Sequence, residues 1–369
     1  MRILMTTDTV GGIWTFTQEL TTGLLTKGCD IALVSLGRWP THDQQRWVTV
    51  MEYTWGARFR FQALTTSLEW MQENGDAFAG AAPQLLRLAS EFGADVLHLN
   101  QFCFGALSTD LPKVVTAHSD VLSWAKYCCI EALEDSPWLR RYVAMVSHGL
   151  AKADAVVAPT RWMLDEVAEQ FSLPPNQAVI PNGRSVAMAT HRRRKLQAIT
   201  AGRLWDCAKN VAMLSKVSSP VPLLLAGESN FPNGGAVQAP IGSSCVGVLP
   251  ADELFALFRR SAFYICTSLY EPFGLAPLEA ALCGCAILAN DLPSLGEVWG
   301  DAALYFDDAA SLSALLTCLA ADRGMTAAAQ ARSLARAQLY TREKMAASYF
   351  ETFMHAQAMA ETNAVAHVS

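Results

Sequence analysis

Two carboxylates, Glu271 and Glu279, lie eight residues apart in the stretch SLYEPFGLAPLE at 268–279. A proline follows Glu271 directly, and the residue before a proline is pushed towards extended backbone and away from helix. Gly274 permits an unusual turn, and Pro277 suits the first turn of a helix, where its missing N–H is not needed. We therefore expect Glu271 in a loop at the mouth of a helix and Glu279 on that helix.

The sequence around these carboxylates offers them no basic partner, because no lysine or arginine occurs between Arg260 and Arg323. Burying a carboxylate without a partner is costly, and the flanking sequence is strongly apolar. The vicinal hydroxyls of a sugar or of ribose are suitable donors to two carboxylate oxygens. The spacing also fits an alternative in which Glu271 and Glu279 are solvated charges, because most glutamates are exposed.

The composition indicates a globular protein with two domains. The chain has 369 residues, of which 51% are hydrophobic and 17% are charged. At roughly 150 residues per domain this is enough apolar sequence for two cores, and it excludes a disordered chain. A formal net charge of −6 gives no support for nucleic-acid binding. The ten cysteines contain no C-x-x-C pair, which favours free thiols in a reducing cytosol over disulfides or a zinc site.

We expect a cytoplasmic protein with neither a secretory signal nor a membrane-spanning segment. The N-terminal sequence MRILMTTDTVGG becomes polar after five residues, and no apolar run approaches the roughly 18 residues that span a bilayer. The basic run His191–Lys195 is interpreted as a solvated linker face. Peripheral contact with the inner face of a membrane is left open as an alternative.

The chain repeats a strand–loop–helix rhythm in each half, which is typical of α/β folds. In the first half, the buried strand Ile3–Met5 leads through Gly11 and Gly12 into an amphipathic helix that ends at Gly28. In the second half, the strand Gln197–Thr200 restarts the pattern. The two glycines do not form a G-x-G-x-x-G fingerprint, so by themselves they indicate only a tight turn.

Aromatic and arginine side chains interleave between Arg38 and Trp70. Such a surface could stack on a sugar acceptor or touch a membrane interface. A β-hairpin with one face in the core explains the same pattern, and this is the interpretation we adopt.

Three further side chains suit an anionic or hydroxylated ligand. Arg203 follows the strand at 197–200, and Lys209 comes six residues later. Two cations facing a diphosphate would stabilise the charge that develops when a glycosidic C–O bond breaks. His118 follows the strand Val114–Thr116, at the strand end where open α/β sheets bind ligands. Two surface cations and a structural histidine are the alternatives for these residues.

The stretch TSLYEPFGLAPLEAALCGCAILAND resembles, over its whole length, the paired-glutamate E-x7-E motif of family-4 retaining glycosyltransferases. Weaker similarities follow the family's order along nearly the whole chain: KVVTAHSD, VIPNGR, AGRL and the terminal segment TREKMAASYFETFMHAQ. Three features depart from the family pattern. The gap from Arg203 to Lys209 is one residue longer than usual, Asn210 replaces the usual glycine, and Ala286 stands where members usually have proline.

The resemblance implies an α/β protein of the GT-B architecture, with two Rossmann-like domains facing a central cleft. The N-terminal, acceptor-side domain would comprise residues 1–184, together with a C-terminal helix, about 342–369, that crosses back onto it. The nucleotide-sugar-binding domain would comprise residues 185–341.

The implied activity is retaining transfer of a sugar from a UDP-glucose-type or GDP-mannose donor to an acceptor hydroxyl, as in the hexosyltransferases of carbohydrate biosynthesis. The expected partners are the nucleotide-sugar donor and a carbohydrate, lipid-linked or small-molecule acceptor. The sequence contains no D-x-D pair, and we expect neither a metal nor another cofactor, with cations replacing a metal at the leaving group. A sugar-nucleotide epimerase of the same fold and a non-catalytic nucleotide-sugar binding protein are left open as alternatives.

By the same resemblance, each candidate site residue has an expected role. Arg203 and Lys209 would stabilise the departing diphosphate. His118 would contact the donor sugar near its C6 hydroxyl, and Glu271 would hold further sugar hydroxyls. Glu279 would accept hydrogen bonds from the ribose diol. The remaining donor-binding positions are Gly12, Gly202 and the backbone amides of Phe273, Gly274 and Leu275.

Overall fold

The protein forms two compact units, each built on a parallel sheet with helices packed against it. The computed structural model describes residues 1–128, 133, 135–186, 194–230, 235–236 and 238–366. The N-terminal unit holds the described residues of 1–125, 131–183 and 342–369. The C-terminal unit holds those of 126–130 and 184–341.

The sheet of the N-terminal unit reverses its strand order at one point. Its described strands are β1 (Arg2–Asp8), β2 (Asp30–Leu36), β3 (Phe59–Ala63), β4 (Val96–Leu99), β5 (Lys113–Thr116), β6 (Ala155–Ala158) and β7 (Gln177–Val179). The helices between them are α1 (Gly12–Thr26), α2 (His42–Trp55), α3 (Ala82–Phe92), α4 (Val121–Tyr127), α5 (Pro137–Lys152) and α6 (Arg161–Gln170). The spatial order is β3-β2-β1-β4-β5-β6-β7, with every pair parallel. The order reverses between β1 and β4, and open α/β sheets bind ligands at the strand ends of such a switch point.

The C-terminal unit repeats this arrangement. Its described strands are β8 (Lys195–Ala201), β9 (Leu223–Ala226), β10 (Ser243–Gly247), β11 (Ser261–Cys266), β12 (Ala286–Asn290) and β13 (Leu304–Phe306). Its helices are α7 (Ala251–Arg260), α8 (Leu275–Leu282), α9 (Pro293–Trp299), α10 (Ala309–Ala321) and α11 (Arg323–Ala337). The strands are parallel in the order β10-β9-β8-β11-β12-β13, so this sheet has its switch point between β8 and β11.

Alternation along the central strands of the C-terminal unit supplies two cores, one on each face of the sheet. On β11, Tyr264 and Cys266 join one buried cluster, whereas Phe263 and Ile265 join the other. Successive side chains of a strand point to opposite faces, so a strand buried on both faces reads as a continuous apolar run. This is why SAFYIC can be recognised as a strand although it shows no polar alternation.

The last helix, α12 (Arg342–Ala366), packs within the N-terminal unit. A Cβ atom added at Gly23 of α1 would lie 2.6 Å from the Cβ of Ala346, so glycine is what allows α1 and α12 to approach so closely. The Arg342 guanidinium binds the buried carboxylate of Glu19 at 2.5 Å, and Tyr349 and Phe353 are fully buried. The terminal segment thus completes the core of the N-terminal unit.

The hairpin expected between Arg38 and Trp70 is wrong. Residues 42–55 form α2, and β3 pairs in parallel with β2. The capping box of Thr41 and Gln44 starts the helix, because each side chain accepts a hydrogen bond from the other's backbone N–H. The aromatic residues that suggested one buried face do pack on the core, namely Trp47, Trp55, Phe59 and Phe61. Their spacing reflects a helix followed by a strand.

The interpretation of His191–Lys195 as a solvated face is only partly open to inspection, because residues 187–193 lie outside the described part of the chain. Lys195 is exposed, as expected. Arg194 is half-buried, and its guanidinium donates to the carbonyl oxygens of Arg259, at 3.0 Å, and Cys283, at 2.9 Å. None of the helices in the described residues is long and apolar enough to cross a membrane.

Candidate active site

In the C-terminal unit, polar side chains gather where β8 and β11 end, which is the switch point of that sheet. Gly202 and Arg203 follow β8, and Ser268 and Glu271 follow β11. The sequence places these residues more than 60 positions apart, and the parallel pairing of β8 with β11 brings them to one edge. The candidate site is built from this edge, the 3-10 turn Cys207–Lys209 and the start of α8.

Lys209 and Glu271 form an ion pair at this edge, with the Lys209 ammonium 2.5 Å from Oε2 of Glu271. The same carboxylate oxygen accepts a hydrogen bond from the Ser268 hydroxyl at 2.9 Å. Burial by itself lowers the pKa of Lys209, but the Glu271 carboxylate and further neighbours more than offset it, so that the pKa is raised. Lys209 is therefore a cation at neutral pH. It can serve an anionic ligand once Glu271 turns to other donors.

The backbone around Lys209 explains how the chain accommodates its unusual spacing. Asp206 begins the 3-10 turn, and its side chain accepts a hydrogen bond from the N–H of Ala208 at 3.0 Å. Asn210 then adopts the left-handed conformation, with φ 46° and ψ 36°, which asparagine tolerates better than most residues that carry a Cβ atom. The Thr267 hydroxyl donates to the Lys209 carbonyl at 2.6 Å. Asn210 therefore performs the backbone role of a glycine and returns Lys209 to the strand ends.

Arg203 is aimed by a neighbouring carboxylate. Its guanidinium lies 2.7 Å from Asp206, whose own side chain is buried, and it stacks over the Trp205 ring at 5.5 Å from the ring centroid. The Arg203 side chain is 42% exposed, so the free edge of the guanidinium can meet a ligand. Directly before it, Gly202 has φ 150°, and a Cβ atom there would lie 3.6 Å from Cε of Lys209.

The helix expected from Leu275 is confirmed, and α8 begins there. Gly274 precedes it with φ 89° and ψ 76°, a left-handed conformation that favours glycine. No side chain caps this helix start, so its first backbone N–H groups and the positive end of its dipole could receive an anion. A Cβ atom at Gly274 would lie 3.4 Å from Cγ of Glu271, which places the uncapped helix start beside the ion pair. Phe273 is buried and packs edge-on against Tyr340.

Glu279 lies on α8 as expected, and it has a basic partner that the local sequence does not show. The Arg184 guanidinium donates to Oε1 of Glu279 at 2.7 Å, and both side chains are nearly buried. Arg184 also covers the Phe255 ring. The VIPNGR segment ends in this arginine, but its 95-residue separation from Glu279 hides the contact from sequence reasoning. Asp206 and Ser268 are further site residues that the sequence analysis did not single out, although each lies only three residues from its partner, Arg203 or Glu271.

In the N-terminal unit, His118 and Asn100 meet at the ends of β5 and β4. The His118 Nε2 atom lies 2.8 Å from Oδ1 of Asn100, and the imidazole packs edge-on against the Phe16 ring at 4.5 Å. Desolvation lowers the pKa of His118 below its ordinary value of 6.5, so the ring is neutral. The other histidine of this region, His98 on β4, is fully buried and bonds to Thr116 at 2.8 Å.

Gly12, which was expected in the loop before the helix, is the first residue of α1. Gly11 precedes it with φ 68°, and no side chain caps the helix start. Gly12 and His118 thus belong to the N-terminal unit, whereas the other candidate residues lie in the C-terminal unit. In the part of the chain that the structure describes, no three His, Cys, Asp or Glu side chains converge as a metal centre would require.

Comparison with known proteins supplies the family. The model of Glycosyltransferase Family 4 matches residues 10–187, and that of Glycosyl transferases group 1 matches residues 241–333. The glycogen synthase of Mycobacterium tuberculosis is 27% identical over 343 residues, which cover 80% of each chain. O-antigen chain mannosyltransferase B of Escherichia coli is 35% identical over 100 residues, covering 27% of this chain and 26% of the relative.

The fold agrees with solved structures. The sucrose-phosphate synthase of Thermosynechococcus elongatus superimposes with a TM-score of 0.78, covering 97% of this chain and all of that chain at 16% identity. Two family models in the expected order, relatives that are glycosyltransferases and a shared two-domain fold lead to one conclusion. The chain belongs to the family-4 glycosyltransferases of the GT-B fold, enzymes that transfer a sugar from a sugar-nucleotide donor.

Proposed function

We propose that the protein is a metal-independent, retaining hexosyltransferase whose donor is a nucleoside diphosphate hexose of the UDP-glucose or GDP-mannose type. The observation that carries the proposal is the cationic group at the uncapped start of α8, formed by Lys209 on Glu271 and Arg203 on Asp206. Its acceptor is a carbohydrate hydroxyl. Neither the epimerase nor the non-catalytic binding protein is favoured, because the relatives are synthases and transferases.

The leaving group needs a cationic site. When the bond between the anomeric carbon and the diphosphate oxygen breaks, negative charge develops on the diphosphate. Arg203 and Lys209 supply two cations, each already paired with a carboxylate, and the first amides of α8 supply a helix dipole for that charge. Removing one such preorganised group typically costs about 10²–10³ in turnover. Cations of this kind do at the leaving group what a divalent metal does in other transferases.

The two carboxylates are better suited to binding than to covalent chemistry. Glu271 is held by Lys209 and Ser268, and Glu279 is held by Arg184. A carboxylate neutralised by a cation at 2.5–2.7 Å is a weak nucleophile. We therefore propose that Glu271, with the amides of Phe273, Gly274 and Leu275, holds donor-sugar hydroxyls, and that Glu279 holds the ribose diol.

In the proposed transfer step no residue of the enzyme acts as a base. The acceptor oxygen forms a bond to the anomeric carbon on the face that the diphosphate leaves, so the configuration is retained. The acceptor proton passes to the departing phosphate oxygen. His118 contacts a hydroxyl of the sugar in this proposal, and Gly12 together with Gly202 allows the backbone to approach the donor phosphates.

The first test is nucleotide binding. We expect UDP or GDP, but not both equally, to raise the thermal unfolding midpoint, since a ligand at about 100 times its Kd adds roughly 2.7 kcal/mol. Arg203→Ala should remove that shift, whereas Arg323→Ala, an exposed arginine of the same unit, should keep it. No shift with any nucleotide or nucleotide sugar would contradict the proposed site.

The second test is the product. Incubation of the selected donor with a panel of saccharide and lipid-linked acceptors should give a glycoside with the donor's anomeric configuration, as read by NMR. Turnover should persist in excess chelator. An inverted product, or activity lost in chelator and restored by magnesium, would overturn the corresponding part of the proposal. Conversion of the donor without any acceptor would indicate an epimerase.

A further inference from the structure

A second polar arrangement lies at the switch point of the N-terminal unit, and it fixes the hydrogen-bonding character of His118. Asn100 directly follows β4, and His118 comes two residues after β5, the neighbouring strand. Asn100 is bound at its other end to β1: its backbone N–H donates to the Thr6 hydroxyl at 3.0 Å, and its Nδ2 donates to the Thr6 carbonyl at 2.5 Å. Three strand ends thus position one imidazole.

The donors and acceptors in this chain allow a single assignment. A backbone carbonyl only accepts hydrogen bonds, so the amide nitrogen of Asn100 must face Thr6. The amide oxygen must then face His118, and because it too only accepts, the hydrogen lies on Nε2 of the imidazole. In a neutral ring the other nitrogen, Nδ1, consequently carries a lone pair.

The surroundings keep that ring neutral. Phe16 of α1 packs on it. The nearby His98 on β4 is itself fully buried, and desolvation lowers its pKa. Asp120, two residues further on, accepts hydrogen bonds from the backbone N–H groups of Leu122 and Ser123. Nδ1 of His118 makes no hydrogen bond with a described residue and is not enclosed, so it is available to a ligand.

We infer that Asn100 is a positioning residue that presents Nδ1 of His118 as a hydrogen-bond acceptor for a sugar hydroxyl. The inference rests on the proposed function, because a sugar substrate supplies that hydroxyl. A neutral acceptor selects a ligand group that has a hydrogen to donate. It discriminates against a carboxylate or phosphate oxygen, which a cationic or donating histidine would attract. The sugar at this position therefore carries a free hydroxyl and is not a uronate.

The tautomer is tested in the free protein, without any substrate. In protein labelled with ¹⁵N-histidine, the His118 resonances, identified by their loss in His118→Gln, should show a protonated Nε2 and an unprotonated Nδ1 from pH 5.5 to 8. A protonated Nδ1, or an imidazolium within that range, would overturn the inference. Asn100→Leu removes the acceptor for Nε2–H, and we expect the resonances of both tautomers to appear in that variant.

A pH profile distinguishes positioning from a merely structural role. Asn100→Asp keeps an acceptor for Nε2–H but adds a negative charge, which raises the pKa of His118 and makes Nδ1 a donor at lower pH. The Gln62→Glu variant adds the same charge at an exposed position of the same unit. The ratio of kcat/KM in Asn100→Asp to that in Gln62→Glu should fall about 10-fold as the pH drops from 7.5 to 5.5. A constant ratio would contradict the role of Nδ1 as an acceptor.

Deoxyfluoro sugars identify the hydroxyl and its source, because fluorine replaces a hydroxyl but cannot donate. Replacement at the contacted position should lower kcat/KM about 5- to 100-fold, the effect of leaving one acceptor unpaired. His118→Phe should abolish that penalty at one position only, on either the donor or the acceptor sugar. If the penalty for fluorine at every position is the same in His118→Phe as in wild type, the assignment is overturned. If the protein binds no nucleotide and transfers no sugar, the proposed function fails, while the ¹⁵N result still decides the tautomer.

Discussion

The two units place their candidate residues at equivalent points of similar sheets, yet the chemistry at these points differs. In the N-terminal unit two neutral side chains, Asn100 and His118, follow β4 and β5, and Asn100 is bound to Thr6 of β1. Asp8, which ends β1, is buried and accepts a hydrogen bond from the N–H of Val10. In the C-terminal unit the switch point between β8 and β11 holds the ion pair of Lys209 and Glu271. One topology therefore supports two kinds of polar side-chain arrangement.

The difference follows from what each point can offer a nucleotide sugar. Neutral donors and acceptors with fixed directions distinguish hydroxyl groups, because a wrong partner leaves a buried polar group unpaired. Charges stabilise a diphosphate but discriminate little between ligands of different shape. A partly buried ion pair such as Lys209–Glu271 contributes little net stability, since desolvation offsets much of the attraction. The charged point is thus better explained by function than by folding.

The largest expected effect comes from removing charge at the C-terminal switch point. Arg203→Ala should lower kcat by about 10²–10³, because the departing diphosphate loses a preorganised cation. Steady-state kinetics at saturating donor measures this, with Arg323→Ala as the exposed-arginine control. A loss of less than tenfold would mean that Arg203 does not face the leaving group, and the division between the two points would then fail.

The buried, neutral ring of His98 on β4 predicts a dependence of stability on pH. Burial lowers the pKa of His98 from 6.5 to about 3, so the unfolded chain binds a proton that the folded chain excludes. The resulting contribution to stability is present above pH 6.5 and is lost as the pH falls towards 3. At pH 5 the free energy of unfolding should be about 2 kcal/mol lower, on account of this one histidine, than it is well above pH 6.5.

Urea unfolding of wild type and His98→Gln between pH 4.5 and 7.5 measures the effect. The variant should show the shallower decline, whatever its stability at pH 7.5. His42→Gln, which removes an exposed histidine of the same unit, is the control. Parallel declines in wild type and His98→Gln would show that the buried ring accepts a proton, contrary to the neutral character described above.

A double-mutant cycle on Lys209 and Glu271 sharpens the contrast between the two points. Lys209→Met should destabilise the protein more than the double variant Lys209→Met/Glu271→Gln does, because the single change leaves a carboxylate without its cation. We expect a coupling of about 1.5 kcal/mol, reduced from the buried range because the Lys209 side chain is 25% exposed. The exposed pair of Arg87 and Glu91 is the control and should couple by less than about 0.5 kcal/mol. Equal couplings would mean that the candidate site is as solvated as the surface.

The smallest effect concerns the backbone that returns Lys209 to the site. Asn210→Gly should leave the free energy of unfolding, and the activation free energy that corresponds to kcat, within a few tenths of a kcal/mol of wild type. The reason is that glycine adopts the left-handed conformation freely. Asn210→Val should cost about 1–2 kcal/mol, since a β-branched side chain resists that conformation. Thermal unfolding and donor KM report both. An unaltered Asn210→Val protein would show that the left-handed turn does not position Lys209.

The sequence predicts the loop of Glu271 well because the signals for it are local. The proline after Glu271 and the glycine before Leu275 set a loop followed by a helix start, and the structure has both. The alternation of strands and helices likewise follows from apolar runs and turn residues. His118 and Arg203 follow the strands that the sequence predicts for them, and Glu279 lies on the predicted helix, whereas Gly12 opens α1 where a loop was expected.

The sequence does not reveal which distant residues form ion pairs. Glu271 and Glu279 lack basic neighbours along the chain, yet their partners Lys209 and Arg184 lie 62 and 95 residues away. Parallel strand pairing creates these contacts, and periodicity carries no information about which loop meets which. The wrong hairpin has a local cause: the capping box of THDQ at 41–44 indicates a helix start, whereas the aromatic pattern that follows is shared by a hairpin and by a helix followed by a strand.

The placement of α12 sets an order of events during synthesis. The C-terminal unit draws almost entirely on residues 184–341, so its core is complete before α12 is made. The N-terminal unit lacks Tyr349 and Phe353 until the last helix leaves the ribosome, on the order of ten to thirty seconds after residue 183 at usual elongation rates. During that interval the surfaces of Phe16 and His98 that these rings cover are open to chaperones. The unit translated first is therefore the one that finishes folding last.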